Sequence, residues 1–414
     1  MGIKSRLTIM NFLQFFIWGC WLISLSGYLI NNLGFTGFQV GSIYATAGIA
    51  SLFMPGLLGI VADRWFNAEK VLGVCHLIGA GLFFWASTVT NYDVLYWIML
   101  FYAMAYMPTI ALNNSVAYYL LEKRGHDVVK EFPPIRVWGT VGFIVAMWIV
   151  DLFGLKEGPG QFYLSAVASL LLGVYTLFLP QCKPDKSQRK KTIVSALGLD
   201  ALVLFKNPKM AIFFVFSMLL GAALQITNTF GQPFLLDFKT NYASSFAVTH
   251  PGILMSISQI SETLFILAIP FFMKKFGIRN VMLISMFAWV LRFGLFGLGN
   301  PGSGFVLLIL SMIIYGMAFD FFNISGSLFV EMEINKSIRS SAQGLFMIMT
   351  NGIGTIIGGL LSGWVVDHFT VDGVKNWPSI WFSFAAYALL LGILFPFFFK
   401  YKHNPDKMKG SVVH

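Results

Sequence analysis

Long apolar runs alternate along the chain with short breaks rich in Lys, Arg, Pro and Gly. A helix needs about 20 apolar residues to cross a hydrocarbon core of about 30 Å, and twelve runs approach or exceed that length. They predict helices over 7–30, 40–62, 71–90, 93–121, 136–156, 161–180, 210–238, 250–273, 279–298, 303–331, 339–368 and 378–400. The runs are continuous and lack the two-residue alternation of a barrel strand, so the expected fold is an all-α membrane protein with twelve transmembrane helices. The first run follows Lys4 and Arg6 and is too long for a signal-peptide core. No small-residue cleavage pattern follows it closely, so it reads as a retained span.

The longest polar stretch, 181–209, falls after the sixth run and divides the chain into an expected six-helix bundle at 1–180, a cytoplasmic linker, and a second six-helix bundle with a short tail at 210–414. Two spacings suggest that the halves are repeats. Ile135-Arg136 opens the fifth run as Ile338-Arg339 opens the eleventh, and Asn114 and Asn323 sit in the fourth and tenth. Both offsets are about 205 residues, as parallel six-helix repeats would give.

Composition supports this pattern: 57% of the 414 residues are hydrophobic and only 11% charged, against roughly 25% charged in soluble domains. Forty-three Phe and eleven Trp need a lipid-facing exterior. A net charge of +10 would suit nucleic acid, but the cations are distributed otherwise. Nearly all lie in alternate loops: Lys4 and Arg6; Arg64 and Lys70; Lys123, Arg124 and Lys130; Lys183 to Lys209; Lys274, Lys275 and Arg279; Lys336 and Arg339; and Lys400 to Lys409. The positive-inside rule makes those loops and both termini cytoplasmic, and accounts for the charge without nucleic acid. Cys20, Cys75 and Cys182 are isolated and the six histidines are scattered, so no disulfide framework, metal site or cofactor is expected.

Ionisable groups at membrane depth cost about 2.5 to 3.5 kcal/mol each, so each needs a partner or a task. Four are placed there: Glu262 in the eighth run, Arg292 in the ninth, Asp320 in the tenth and Arg136 in the fifth. Arg292, flanked by Trp289 and Phe293, reads as structural. The polar residues around the others are grouped. Gln225 and Asn228 share a helix face at i and i+3, as do Gln259 and Glu262; Tyr315, Phe319, Asp320 and Asn323 cluster in the tenth run; Arg136, Thr140 and Phe143 are spaced i, i+4, i+7. Amides and carboxylates supply donors and acceptors while Phe and Tyr supply flat faces, which suits a small uncharged ligand with hydroxyls and an aromatic part. Amides bonding helix to helix are the alternative. Gly354-x-x-x-Gly358 reads as close helix packing. No phosphate loop, nucleophile elbow or His-Glu-x-x-His is present, and the protein is not expected to be an enzyme.

Gly59-Ile-Val-Ala-Asp63-Arg64 resembles the signature loop of the major facilitator superfamily. Phe132-Pro-Pro-Ile-Arg136-Val-Trp-Gly-Thr140, Leu224-Gln225-Ile-Thr-Asn228, Ser256-Ile-Ser-Gln259-Ile-Ser-Glu262 and Phe319-Asp320-Phe-Phe-Asn323-Ile-Ser-Gly326 resemble the bacterial nucleoside:proton symporters of that superfamily, over nearly the whole chain. The resemblance implies the two-bundle fold and import of nucleosides into the cytoplasm, driven by protons and working by alternating access, by a protein of the bacterial inner membrane, expected as a monomer. It implies ligand contacts at Arg136, Thr140, Phe143, Gln225, Asn228, Gln259, Glu262, Tyr315, Phe319, Asp320 and Asn323, and a cytoplasmic gate at Asp63 and Arg64. A symporter needs a group that can be neutral in one step and charged in another, and Glu262 and Asp320 are the acids at membrane depth. Arg136 is expected to pair with Asp320, leaving Glu262 to carry the proton. A permease for sugars or other polyols and a transporter-like nucleoside receptor stay open as alternatives.

Overall fold

Backbone N–H and C=O groups in lipid must be satisfied within the protein, and a helix does this inside one segment, so the apolar runs fold as helices. The structure, a computed structural model, describes residues 2–184, 198–335 and 338–401. Much of the expected linker and the C-terminal tail therefore lie outside the described residues, as do Lys186, Arg189, Lys190, Lys191, Lys336, Lys402, Lys407 and Lys409 of the cytoplasmic set. Among the described residues nine helices are long and apolar enough to cross a membrane. Large apolar side chains such as Trp97, Leu267, Phe271 and Leu390 are exposed, as a lipid-facing surface requires.

The chain divides into two compact units. Unit 1 takes in Met1–Phe35 and Thr46–Leu197, and unit 2 takes in Thr36–Ala45 and Gly198–His414.

Unit 1 holds α1 (Ile3–Gly19), α2 (Leu25–Asn31), most of α3 (Gly37–Arg64), α4 (Ala68–Ala86), α5 (Tyr92–Lys123), α6 (Val128–Leu152) and α7 (Gly160–Thr176). The first expected run is broken, because the chain turns between α1 and α2. Ser24 Oγ, at the start of α2, lies 3.2 Å from the carbonyl of Cys20 and 2.8 Å from Gln161 Oε1. The fifth run begins earlier than expected, at Val128, because Asp127 caps the amides of Val129 and Lys130. Asn91 caps α5 in the same way. Asp151, in the last turn of α6, forms a buried ion pair with Lys156 just beyond it.

Unit 2 holds α8 (Pro208–Asp237), α9 (Pro251–Leu298), α10 (Phe305–Glu333), α11 (Arg339–Met347), α12 (Thr355–His368) and α13 (Trp377–Phe398). Asn207 and Asn376 cap α8 and α13, each beside a Pro in the first turn. The expected spans 250–273 and 279–298 are one continuous helical stretch interrupted at Gly277, whose φ of 74° and ψ of 164° only glycine adopts readily. Residues Ile348–Gly354 wind as a π-helix joining α11 to α12. Beyond α12, Thr370–Val371 and Val374–Lys375 pair as a hairpin of β1 and β2, turned by Asp372 and Gly373 at positive φ. The first residues of α3 pack on α12: Gly41 abuts the backbone of Gly359, and the Asp367 carboxylate accepts the amides of Gly37 (2.6 Å) and Phe38 (2.8 Å).

Candidate substrate site

Unit 2 brings most of the expected residues onto three helices. The close run of α9 against α10 sets their positions: a Cβ at Gly316 would stand 2.6 Å from the Ser261 carbonyl, and Ser261 Oγ bonds the carbonyl of Ile313. That contact holds Tyr315 and Asp320 of α10 beside Gln259 and Glu262 of α9. The Gln259 side chain is within hydrogen-bonding reach of the Tyr315 hydroxyl, and Glu262 and Asp320 are its acidic neighbours. The two carboxylates also interact with each other. Asp320 is buried, and its Oδ2 has no hydrogen-bond partner among the described residues.

One turn along, Phe319 stacks on Tyr315 at 5.9 Å with the ring planes 15° apart. Phe319 and Asn323 line a recess walled on its other sides by Gly221 and Leu224 of α8, Trp289 of α9, and Thr350 and Asn351 of the π-helix. Spacing along the sequence does not reveal Trp289, Thr350 or Asn351, because the approach of separate helices brings them to the recess. Gln225 is buried and its Nε2 donates to Thr229 Oγ1 at 3.0 Å, so its amide is partly committed within α8. Asn228, on the same face, is half-buried. The expected packing role of Gly354 and Gly358 agrees with their contacts: Cβ atoms there would meet the carbonyls of Met218 and Ala222 at 2.6 and 2.5 Å.

In unit 1 the guanidinium of Arg136 lies 3.9 Å from the centre of the Phe15 ring, Thr140 is half-buried, and Phe143 meets Trp18 edge-on at 6.4 Å. Trp18 packs in turn on Tyr106, which belongs to a polar network around a histidine that looks isolated in the sequence. His76 Nε2 and Gln14 Oε1 are 2.9 Å apart, Gln14 Nε2 donates to Thr109, and the Tyr106 hydroxyl donates to the Gln14 carbonyl. These residues satisfy one another, which fits glue between α1, α4 and α5.

Asp63 and Arg64 end α3, with Asp63 exposed and Arg64 half-buried. Near them along the chain is a clasp that the sequence does not announce. Glu69, in the first turn of α4, accepts the amide of Cys182 at 2.9 Å and the Asn67 side chain at 3.0 Å, and the Ala68 amide donates to the Cys182 carbonyl. Burial and the Glu69 carboxylate push the Cys182 thiol up to about 12.

A family profile described as "Nucleoside H+ symporter" matches residues 1–404. The chain is 57% identical to the xanthosine permease of Escherichia coli (strain K12), with all of both chains covered, and 53% identical to nucleoside permease NupG of the same strain, with 97% of each covered. The crystal structure of nucleoside transporter NupG superposes with a TM-score of 0.92 at 52% identity, covering 97% of this chain and all of that one.

Proposed function

Because the chain belongs to the nucleoside H+ symporter family, we propose a residue-level account of how it carries its substrate. It is a nucleoside transporter and, by its family, a proton symporter. It imports nucleosides by alternating access, as a monomer in the bacterial inner membrane with both termini cytoplasmic. The chain makes twelve spans in two six-helix halves, 1–180 and 210–414, joined by 181–209.

The base stacks against Phe319, whose ring is backed by Tyr315, and the ribose hydroxyls bond Gln225, Asn228, Gln259, Glu262 and Asn323; Arg136, Thr140 and Phe143 are the contacts from unit 1. The observation that carries this reading is the Tyr315–Phe319 stack standing directly beside Gln259, Glu262 and Asp320. Flat faces next to paired hydrogen-bonding groups match a molecule that is half aromatic and half polyol.

Glu262 and Asp320 interact with each other, which supports treating the proton as held by the pair rather than by Glu262 alone. Asp63 and Arg64 act as the cytoplasmic latch.

Counterflow of labelled uridine, adenosine and xanthosine into proteoliposomes, with glucose as control, tests the whole reading. Accumulation of nucleosides but not glucose is expected. Binding without accumulation would make the protein a receptor, and glucose uptake would make it a sugar permease.

A further inference from the structure

Arg292 is 1% exposed inside unit 2. A buried guanidinium is expected to be answered by a carboxylate, yet among the described residues none lies within ion-pair distance of it. Its Nη1 donates to the Ser311 carbonyl at 2.8 Å and lies 3.4 Å from Ser258 Oγ, while Nε has no hydrogen-bond partner among the described residues. What surrounds the charge is aromatic. Its Cζ sits 4.5 Å from the centre of the Tyr315 ring and 5.2 Å from that of Phe296. The Ser311 hydroxyl donates back to the Arg292 carbonyl at 2.8 Å, so α9 and α10 are in fixed register at this level.

Tyr315 is thereby held by its neighbours on several sides. The cation lies against its ring, Trp289 meets it edge-on at 6.1 Å, and Phe319 stacks on it one turn later. Trp289 and Phe319 are both walls of the recess, whereas Arg292 is not. A guanidinium is flat and weakly hydrated, which lets it stay charged against a ring in a dry interior where an ammonium would not.

We propose that Arg292 is a positioning residue of the nucleoside site: it fixes Tyr315, and through Tyr315 the slope of the Phe319 and Trp289 walls, without touching the substrate. The proposal rests on the reading of unit 2 as part of the nucleoside site. A purely structural arginine would tie α9 to α10 through Ser311 and leave affinity alone.

The test compares full-length purified wild type with Arg292→Met, Arg292→Lys, Tyr315→Leu and the Arg292→Met/Tyr315→Leu double variant, measuring equilibrium binding of uridine and adenosine together with thermal unfolding. Arg292→Met is expected to weaken binding about tenfold. Arg292→Lys, whose ammonium loses the plane and does not stay charged against the ring in this dry interior, should lose about as much. The double variant should bind no worse than Tyr315→Leu, because the arginine acts through that ring. Native affinity in Arg292→Met, with or without a lowered melting temperature, overturns the proposal, and so do losses that multiply in the double variant. Should Arg292→Met fail to fold, the same cycle with Arg292→Lys decides. Should Tyr315→Leu bind nothing, the split between affinity and melting temperature in the single Arg292 variants decides. Wild type that binds no nucleoside overturns the functional reading and the inference with it, whereas wild-type binding with an indifferent Arg292→Met removes the inference alone.

Discussion

Gln225 and Gln259 carry the same amide in different circumstances. The Gln225 amide already donates to Thr229, while Gln259 reaches toward Tyr315, whose acidic neighbours are Glu262 and Asp320. A buried polar group stripped of its partner costs about 1 to 3 kcal/mol, so replacing either glutamine by Ala should weaken nucleoside binding by roughly 5- to 150-fold, with the smaller loss at Gln225. Titration calorimetry on purified variants checks this, and an unchanged affinity would identify that glutamine as helix glue. Cys182 allows a test outside the membrane. With its thiol pushed up to about 12, only about one molecule in ten thousand is thiolate at pH 8, so maleimide labelling followed by mass spectrometry should be slow. Glu69→Gln removes the neighbouring negative charge and should speed it; equal rates would show that burial alone protects the thiol. Side-chain types at helical spacing made Gln259, Glu262, Tyr315, Phe319 and Asp320 legible in the sequence. Trp289, Thr350 and Asn351 were not, because they join the recess only through the approach of separate helices.

Apolar runs marked almost every helix, since length and hydropathy are what the bilayer selects. Departures arose where a local bond or a backbone angle outweighed the run. The chain turns between α1 and α2 within one apolar run, and Gly277 interrupts α9 with a backbone angle that hydropathy does not encode. The π-helical turn before α12 is likewise invisible to hydropathy. It leads into Gly354, where a methyl group would meet the Met218 carbonyl and Gly221. Overpacking of this kind costs about 1 to 3 kcal/mol, so Gly354→Ala should lower the melting temperature by several degrees and leave nucleoside affinity within a fewfold of wild type. A selective loss of binding at unchanged stability would place Gly354 in the site instead of the packing.

Transport depends on properties of the whole molecule. If Asp63 is part of a latch, Asp63→Asn should slow proteoliposome uptake while equilibrium binding stays largely intact; wild-type rates would remove the latch. Coupling is tested in the same vesicles. Glu262→Gln mimics the protonated acid and should keep binding and exchange but lose uphill accumulation driven by external acid. Asp320→Asn should do likewise if the pair holds the proton together. Continued accumulation in both would exclude these carboxylates, and loss in one alone would assign the proton to it. The polar stretch after the sixth run made a division of the chain legible, but one detail was not: α3 starts in unit 2 and ends in unit 1. A single covalent rod is thus clamped at one end by Asp367 and carried at the other by a different body. Any turning of one body against the other applies torque to this rod. Either the helix flexes near residue 45, or the carboxylate lets go of the two amides, at about the 0.5 to 2 kcal/mol that a helix cap is worth.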